Sequence, residues 1–152
     1  IKSNIKLFRD FTEEEIERAI ILSDFKKDID NFPQGLDTMT GEKGVALSGG
    51  QRQRIALSRA LIKESDILIL DDVFSAVDTR TEENIIRNLE AERHGKTNIF
   101  ATHRLSVIKP KDYVVVLEDG HIEAQGTHDE VYQLSPWYKE QYDIQMMEVG
   151  ND

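Results

Sequence analysis

Residues 66–72 read Asp-Ile-Leu-Ile-Leu-Asp-Asp, an aliphatic run closed at both ends by carboxylates. The run is of strand length and continuous rather than alternating, so it has no polar face. It predicts a strand buried on both sides, the environment of a central parallel strand. The residues after it keep the same grammar: a helix from Thr79 to about Glu92, a strand over 97–101, a short segment over 104–109 and a strand over 113–117. Strands alternating with helical patterns are the signature of an α/β domain.

The chain has 152 residues, enough for one ordinary domain that buries roughly two-thirds of the surface its unfolded form exposes. It has no cysteine, so disulfides and thiolate metal sites are excluded, and the composition suits a reducing, cytosolic setting. No aliphatic run is longer than four residues, against the ~18 or more of a membrane-spanning helix. Lys2 and Lys6 are followed by acidic residues rather than by the apolar core of a signal peptide. With 19 basic and 29 acidic residues the net charge is −10, which argues against general nucleic-acid binding. A phosphate ligand would need a local site.

Before the strand, Thr12 and Glu15 are spaced as a capping box, and Ile16, Ala19, Ile20 and Leu22 supply an apolar helical stripe. A second short helix is expected from Ser23 or Asp24 toward Phe32, stopped by Pro33 and followed by glycine-containing loop. From Gly49, the residues Ile55, Ala56, Ala60, Leu61 and Ile62 have helical spacing, with Arg52, Arg54, Arg59 and Lys63 on the flanks. At the other end Glu118-Asp119-Gly120-His121 reads as a hairpin turn into 122–125, and two short helices begin near Thr127 and Pro136.

Leu47-Ser48-Gly49-Gly50-Gln51 opens the basic-edged helix. Two glycines allow close backbone approach, the first-turn N–H groups lack helical partners, and the helix dipole favours an anion there. A plain Ser-capped helix start is the alternative for the pentapeptide taken alone. Residues 44–61, Gly-Val-Ala-Leu-Ser-Gly-Gly-Gln-Arg-Gln-Arg-Ile-Ala-Leu-Ser-Arg-Ala-Leu, resemble the signature motif and following helix of ABC-transporter ATPases. The resemblance implies that Ser48, Gly49, Gly50 and Gln51 bind the γ-phosphate of an ATP held mainly by a partner subunit.

A carboxylate at the C-terminal end of a parallel strand sits where α/β sheets place ligands, and it can hold Mg²⁺ directly or through water. The segment 67–72 resembles the Walker B strand, which makes Asp71 the metal ligand, and Ser75-Ala-Val-Asp78 comes next, at the spacing of the D-loop at the dimer interface. ABC ATPases usually carry Glu where Asp72 stands, as general base or polariser of the attacking water. Asp is one methylene shorter, leaving the carboxylate about 1 Å short, a displacement that can cost on the order of 10²-fold in rate. This resembles the degenerate half of heterodimeric exporters; the alternative is a homodimer in which Asp72 works through a moved water. His103, just past the strand over 97–101, resembles the switch histidine that contacts the γ-phosphate. His94, His121 and His128 are read as structural.

Residues 1–5 resemble the segment after an exporter's Q-loop. Thr38-Met39-Thr40-Gly41-Glu42 resembles the X-loop that touches transmembrane coupling helices, although Met39 stands where exporters usually have Glu. Residues 120–130 resemble the closing hairpin and helix of multidrug exporters. No G-x-x-x-x-G-K-[ST] loop occurs in the sequence. The resemblance therefore implies an incomplete P-loop NTPase fold of α/β class, with a helical subdomain over 1–46 and the C-terminal part of the ATPase core over 47–152. Its Walker A portion is expected upstream of Ile1, as are the transmembrane helices.

The implied function is that of an ATP-binding and hydrolysing segment of an exporter, using ATP and Mg²⁺, paired with a second nucleotide-binding domain, a heterodimer being favoured. It would attach to a transmembrane domain at the cytoplasmic face of the membrane and bind no nucleic acid. The segment by itself is expected to be inactive. An SMC-type DNA-maintenance ATPase shares the motif order but requires long flanking heptads, which are not found here. A third reading is a non-hydrolysing regulatory half.

Overall fold

The structure is a computed structural model that describes residues 1–41 and 44–149. Two compact units succeed one another along the chain, Ile1–Thr102 and His103–Asp152. The first unit runs on past residue 46, where the sequence sets a boundary, and within it the early helices pack on the helix that starts after residue 48.

The first unit opens with α1 (Lys2–Lys6), α2 (Glu13–Leu22) and α3 (Lys26–Asn31). Thr12 and Glu15 form the reciprocal capping box that their spacing predicts, and Ile16, Ala19, Ile20 and Leu22 are buried. α3 begins later than expected. Asp24 takes a left-handed backbone (φ 53°), and the N–H groups of Asp24 and Phe25 donate to the last carbonyls of α2, at Ile21 and Ile20. That closure of α2 uses the residues that would have started the next helix.

α4 (Gly49–Leu61) is packed by α1 and α2. Its buried face is Ile55, Leu57, Ser58 and Leu61; Ala56, expected to face inward, is exposed, because the inward stripe runs one residue further round the helix. Ser58 is fully buried, its hydroxyl 2.7 Å from that of Ser23 on the end of α2. Ser23 donates onward to the Ile20 carbonyl or Ser58 to that of Arg54, so the pair carries no unsatisfied group into the core.

β1 (Ile67–Asp71) and β2 (Thr97–Ala101) pair in parallel, joined by α5 (Thr79–Glu92). The register sets Ile67 beside Thr97 and Asp71 beside Ala101. β1 is not buried on both faces. Leu68 and Leu70 are buried, while Ile67 and Ile69 are 59% and 66% exposed. Among the described residues β1 has one hydrogen-bonded neighbour, β2, in a sheet of two strands, so an aliphatic run suited to a covered central strand shows one face to solvent. Arg93, buried just past α5, ties that helix to the sheet by donating to Asn98 Oδ1 (2.6 Å) and the Ser65 carbonyl (3.0 Å).

In the second unit β3 (Tyr113–Glu118) and β4 (His121–Thr127) form an antiparallel hairpin. It is therefore a sheet separate from the β1/β2 pair. Asp119 and Gly120 both have positive φ (47° and 78°), the pair of left-handed residues that a tight hairpin turn needs. α6 (His128–Leu134) starts on a Thr127/Glu130 capping box. α7 (Pro136–Val149) runs for 14 residues and is not the short helix expected. Leu105, Val114, Val116, Ala124, Val131 and Tyr138 form this unit's core. No described helix is long and apolar enough to cross a membrane.

Candidate nucleotide site

The start of α4 is held from within the chain. Ser48 Oγ accepts from the Gln51 N–H (3.2 Å), and Gln51 Oε1 accepts from the Ser48 N–H (2.9 Å). Gln51 Nε2 donates to Asp28 Oδ1 on α3 at 2.8 Å. Asp28 also pairs with Arg54 at 2.8 Å, and Arg54 lies over the Phe25 ring. The polar side chains of the turn thus set its shape. The first intrahelical bond of α4 runs from the Arg52 N–H to the Ser48 carbonyl, so the N–H groups of Gly49 and Gly50 precede the helical ladder and mark the end of the dipole that attracts an anion.

The glycines have a second reason to be glycine. A Cβ on Gly49 would lie 3.0 Å from Ala76 Cβ, and one on Gly50 would lie 2.7 Å from the Ala76 carbonyl oxygen. The loop over 72–78 is therefore seated on the glycine face of α4. Gln53, one turn further along that face, completes the seat. Its Nε2 donates to Ser75 Oγ (2.6 Å) and more weakly to the Asp72 carbonyl (3.4 Å), and its Oε1 accepts from the Ala76 N–H (3.0 Å).

Asp71 ends β1 and Asp72 comes directly after it, so both carboxylates stand at the C-terminal edge of the parallel pair, where α/β sheets bind ligands. Asp71 lies on the same strand face as the exposed Ile67 and Ile69. Asp72 is left-handed (φ 46°). Its N–H donates to the Ala101 carbonyl (2.8 Å), and its carbonyl accepts from Ser75 Oγ (3.1 Å). Asp and Asn are the non-glycine residues that tolerate this backbone best. Asp78 caps α5, Oδ1 accepting from the Thr81 N–H at 3.0 Å. The hydrogen bonds from Thr81 hold its carboxyl below the usual carboxylate range.

Within the first unit, Ser48 is thereby linked with Gln51, and Asp72 with Ser75 through Gln53. His103 opens the second unit and is exposed. There Gln145 of α7 holds the backbone beside it, donating from Nε2 to the His103 carbonyl (2.9 Å) and accepting at Oε1 from the Leu105 N–H (2.8 Å). Sequence reasoning singles out neither Gln53 nor Gln145. Gln53 carries a partial signal, falling on the Gly49/Gly50 face at helical spacing, whereas the Gln145 contact spans some forty residues and has none. In the X-loop-like segment Met39 is 68% exposed and Thr38 is buried; Glu42 lies outside the described residues.

The sequence profile of the ABC transporter family matches residues 2–75. The chain is 48% identical over 148 residues to the probable multidrug resistance ABC transporter ATP-binding/permease protein YheI of Bacillus subtilis, covering 97% of this chain and 25% of that protein. The multidrug resistance-like ATP-binding protein MdlA of Escherichia coli is 46% identical over 141 residues, 93% of this chain and 24% of its own length. The ATP-dependent lipid A-core flippase of Pseudomonas aeruginosa is 48% identical over 118 residues, 78% of this chain and 20% of that protein. Among solved structures, that of a bacterial Atm1-family ABC exporter with ATP bound matches with a TM-score of 0.86 at 37% identity, covering 95% of this chain and 26% of that one. The chain thus spans about a quarter of the length of these relatives. With likeness of this order running along most of its length, the chain matches the ABC transporter family, as part of an exporter-type nucleotide-binding domain of the P-loop NTPase fold.

Proposed function

We propose that this segment works in an ATP-driven exporter, lending the turn at Ser48, Gly49 and Gly50 to the γ-phosphate of a nucleotide held by a partner domain. Its carboxylates at 71 and 72 serve the nucleotide of its own half. The observation that carries the reading is the junction of the two parts: the anion-attracting start of α4 is packed directly on the loop that leaves the carboxylate edge of β1. Gln51 contributes by bracing the turn through Ser48 and Asp28.

ATP and Mg²⁺ suit the residues present. Among the described residues no cluster of three or more His, Asp or Glu could hold a metal unaided. That fits an ion taking one or two carboxylates from protein and its remaining ligands from phosphate and water. Asp71 would hold the ion, whose chemistry is to neutralise charge on the phosphates. Asp72 orients the attacking water as base or polariser, and an exposed histidine such as His103 is suited to donate a hydrogen bond to the γ-phosphate. Ser75 and Asp78 lie on the loop that would face the partner domain.

The names of the relatives favour an exporter of drugs or lipids over a DNA-maintenance ATPase, with a transmembrane domain attached and this domain at the cytoplasmic face. The short carboxylate at Asp72 favours a heterodimer whose other site is the faster one. The uncovered face of β1 and the greater length of the relatives support a domain larger than this segment, which alone is expected to turn over no ATP.

The test is the carboxylate. In the full transporter with its partner domain, Asp72→Glu should raise turnover at this site about tenfold or more, as expected for a carboxylate moved by ~1 Å, and Asp72→Ala should abolish it. Turnover rising in the Glu variant while wild type and Asp72→Ala are equally silent would favour the regulatory half. Equal trapping of nucleotide at both sites in the wild type would refute the degenerate-half assignment.

A further inference from the structure

We propose that Gln53 is the positioning residue that joins two half-sites: through it, the turn that closes on the partner's nucleotide and the turn that carries Asp72 move as one piece. The proposal rests on the reading of the Ser48–Gly50 turn and Asp72 as nucleotide-site elements and deepens it.

The geometry carries the argument. Gln53 lies on the same face of α4 as Gly49 and Gly50, and that face is in contact with Ala76. Its amide uses both ends at once, donating to Ser75 Oγ at 2.6 Å and accepting from the Ala76 N–H at 3.0 Å, with a weaker reach to the Asp72 carbonyl at 3.4 Å. Ser75 Oγ relays the contact to the same Asp72 carbonyl at 3.1 Å. Asp72 sits in a left-handed backbone, a conformation that persists where the surroundings over-determine it. On its other side that residue is held by the bond from its N–H to the Ala101 carbonyl at 2.8 Å. The backbone that aims the Asp72 carboxylate is therefore pinned between β2 and one side chain of α4. The amide supplies a donor and an acceptor on one planar group without adding charge beside a carboxylate. The glycines supply the other half of the coupling: with no side chain of their own to hold the helix start away from Ala76, they let a displacement of that start be transmitted to the loop with little slack.

The experiment uses the full transporter with its partner domain and places Gln53→Met, which keeps length and volume but removes both hydrogen-bonding ends, in the wild type and in Asp72→Glu. The expected result is a kcat lowered about tenfold, a KM for ATP within about twofold of wild type, and loss of the gain made by Asp72→Glu. Such a split arises from a misplaced carboxylate rather than from lost nucleotide binding. Thermal unfolding of each variant gives the folded fraction to which turnover is normalised.

The proposal is overturned if Asp72→Glu gains as much in Gln53→Met as in the wild type, or if normalised kcat is unchanged. With Gln53 intact, turnover indifferent to both Asp72→Glu and Asp72→Ala would instead sink the reading of Asp72 on which the proposal stands.

Discussion

An alanine at Gly50 would set its methyl carbon 2.7 Å from the Ala76 carbonyl oxygen. Opening that contact to an ordinary carbon–oxygen distance of about 3.3 Å requires about 0.6 Å of movement between α4 and the loop. Overpacking of this kind costs about 1–3 kcal/mol, while replacing a helical glycine by alanine returns up to about 1 kcal/mol. The net change in stability is therefore about 0–3 kcal/mol, too broad a range to discriminate. Position is the better readout, because about 0.6 Å at the loop carrying Asp72 corresponds to roughly a tenfold loss in turnover on the scale where about 1 Å costs 10²-fold.

Gly49→Ala meets a different atom, Ala76 Cβ at 3.0 Å, and so offers a control that Gly50→Ala does not. Ala76→Gly removes the obstacle to Gly49→Ala but leaves the carbonyl that opposes Gly50→Ala. Steady-state ATP turnover of the full transporter should show Ala76→Gly restoring most of the activity lost in Gly49→Ala and little of that lost in Gly50→Ala. Activity in Gly49→Ala that Ala76→Gly fails to restore would refute the reasoning. The glycines would then be required by the ligand alone and not by packing within the chain.

The remaining predictions concern ionisable groups. Asp78→Ala should destabilise the first unit by about 1 kcal/mol through loss of the α5 cap, with Asp78→Asn close to wild type in denaturant titrations; equal stability of all three would remove the cap as a determinant. The Asp78 carboxyl is held low in the folded state, so its contribution is present above the ordinary carboxylate pKa of about 4 and is lost as pH falls through the folded value. In the second unit, burial pushes the fully buried Tyr138 phenol up to about 12, beside His128 Nδ1 at 2.8 Å. Because that value is raised, stability is complete below the ordinary phenol value of about 10 and is lost as pH rises through the folded one. Ultraviolet titration should show a late phenolate phase coincident with loss of near-ultraviolet circular dichroism and reduced in Tyr138→Phe to the part that comes from Tyr132, which its hydrogen bond to Asp143 also raises. Ionisation of all four tyrosines in one ordinary phase with the fold intact would contradict this.

Much is legible in the sequence because the signals are local. Spacing alone finds the capping box of Thr12 and Glu15, the helix Thr79–Glu92, the strand Thr97–Ala101 and the turn at Asp119 and Gly120. Each depends on interactions within a few residues, and each falls within a residue or two of its expected place. The misread core positions have one cause in common, which is that the deciding partner is remote or lacking. Ile67 and Ile69 read as core because an aliphatic run has no polar face, yet burial requires something to lie against. Ala56 reads as inward because a stripe's period can be counted, although its phase depends on where α1 and α2 approach.

What the sequence determined by itself was the kind of site: a glycine-opened helix start, carboxylates ending an aliphatic strand, and the order of the two along the chain. Tertiary structure decided how those parts are joined. Ala76 lies against Gly49 and Gly50, Gln53 clamps Ser75 and Ala76, and Asp28 takes up the free end of Gln51. The physical reason is that main-chain donors and acceptors are alike at every position and carry no residue code. A glutamine's choice of which N–H and which hydroxyl to bind appears only once packing has brought them within about 3 Å.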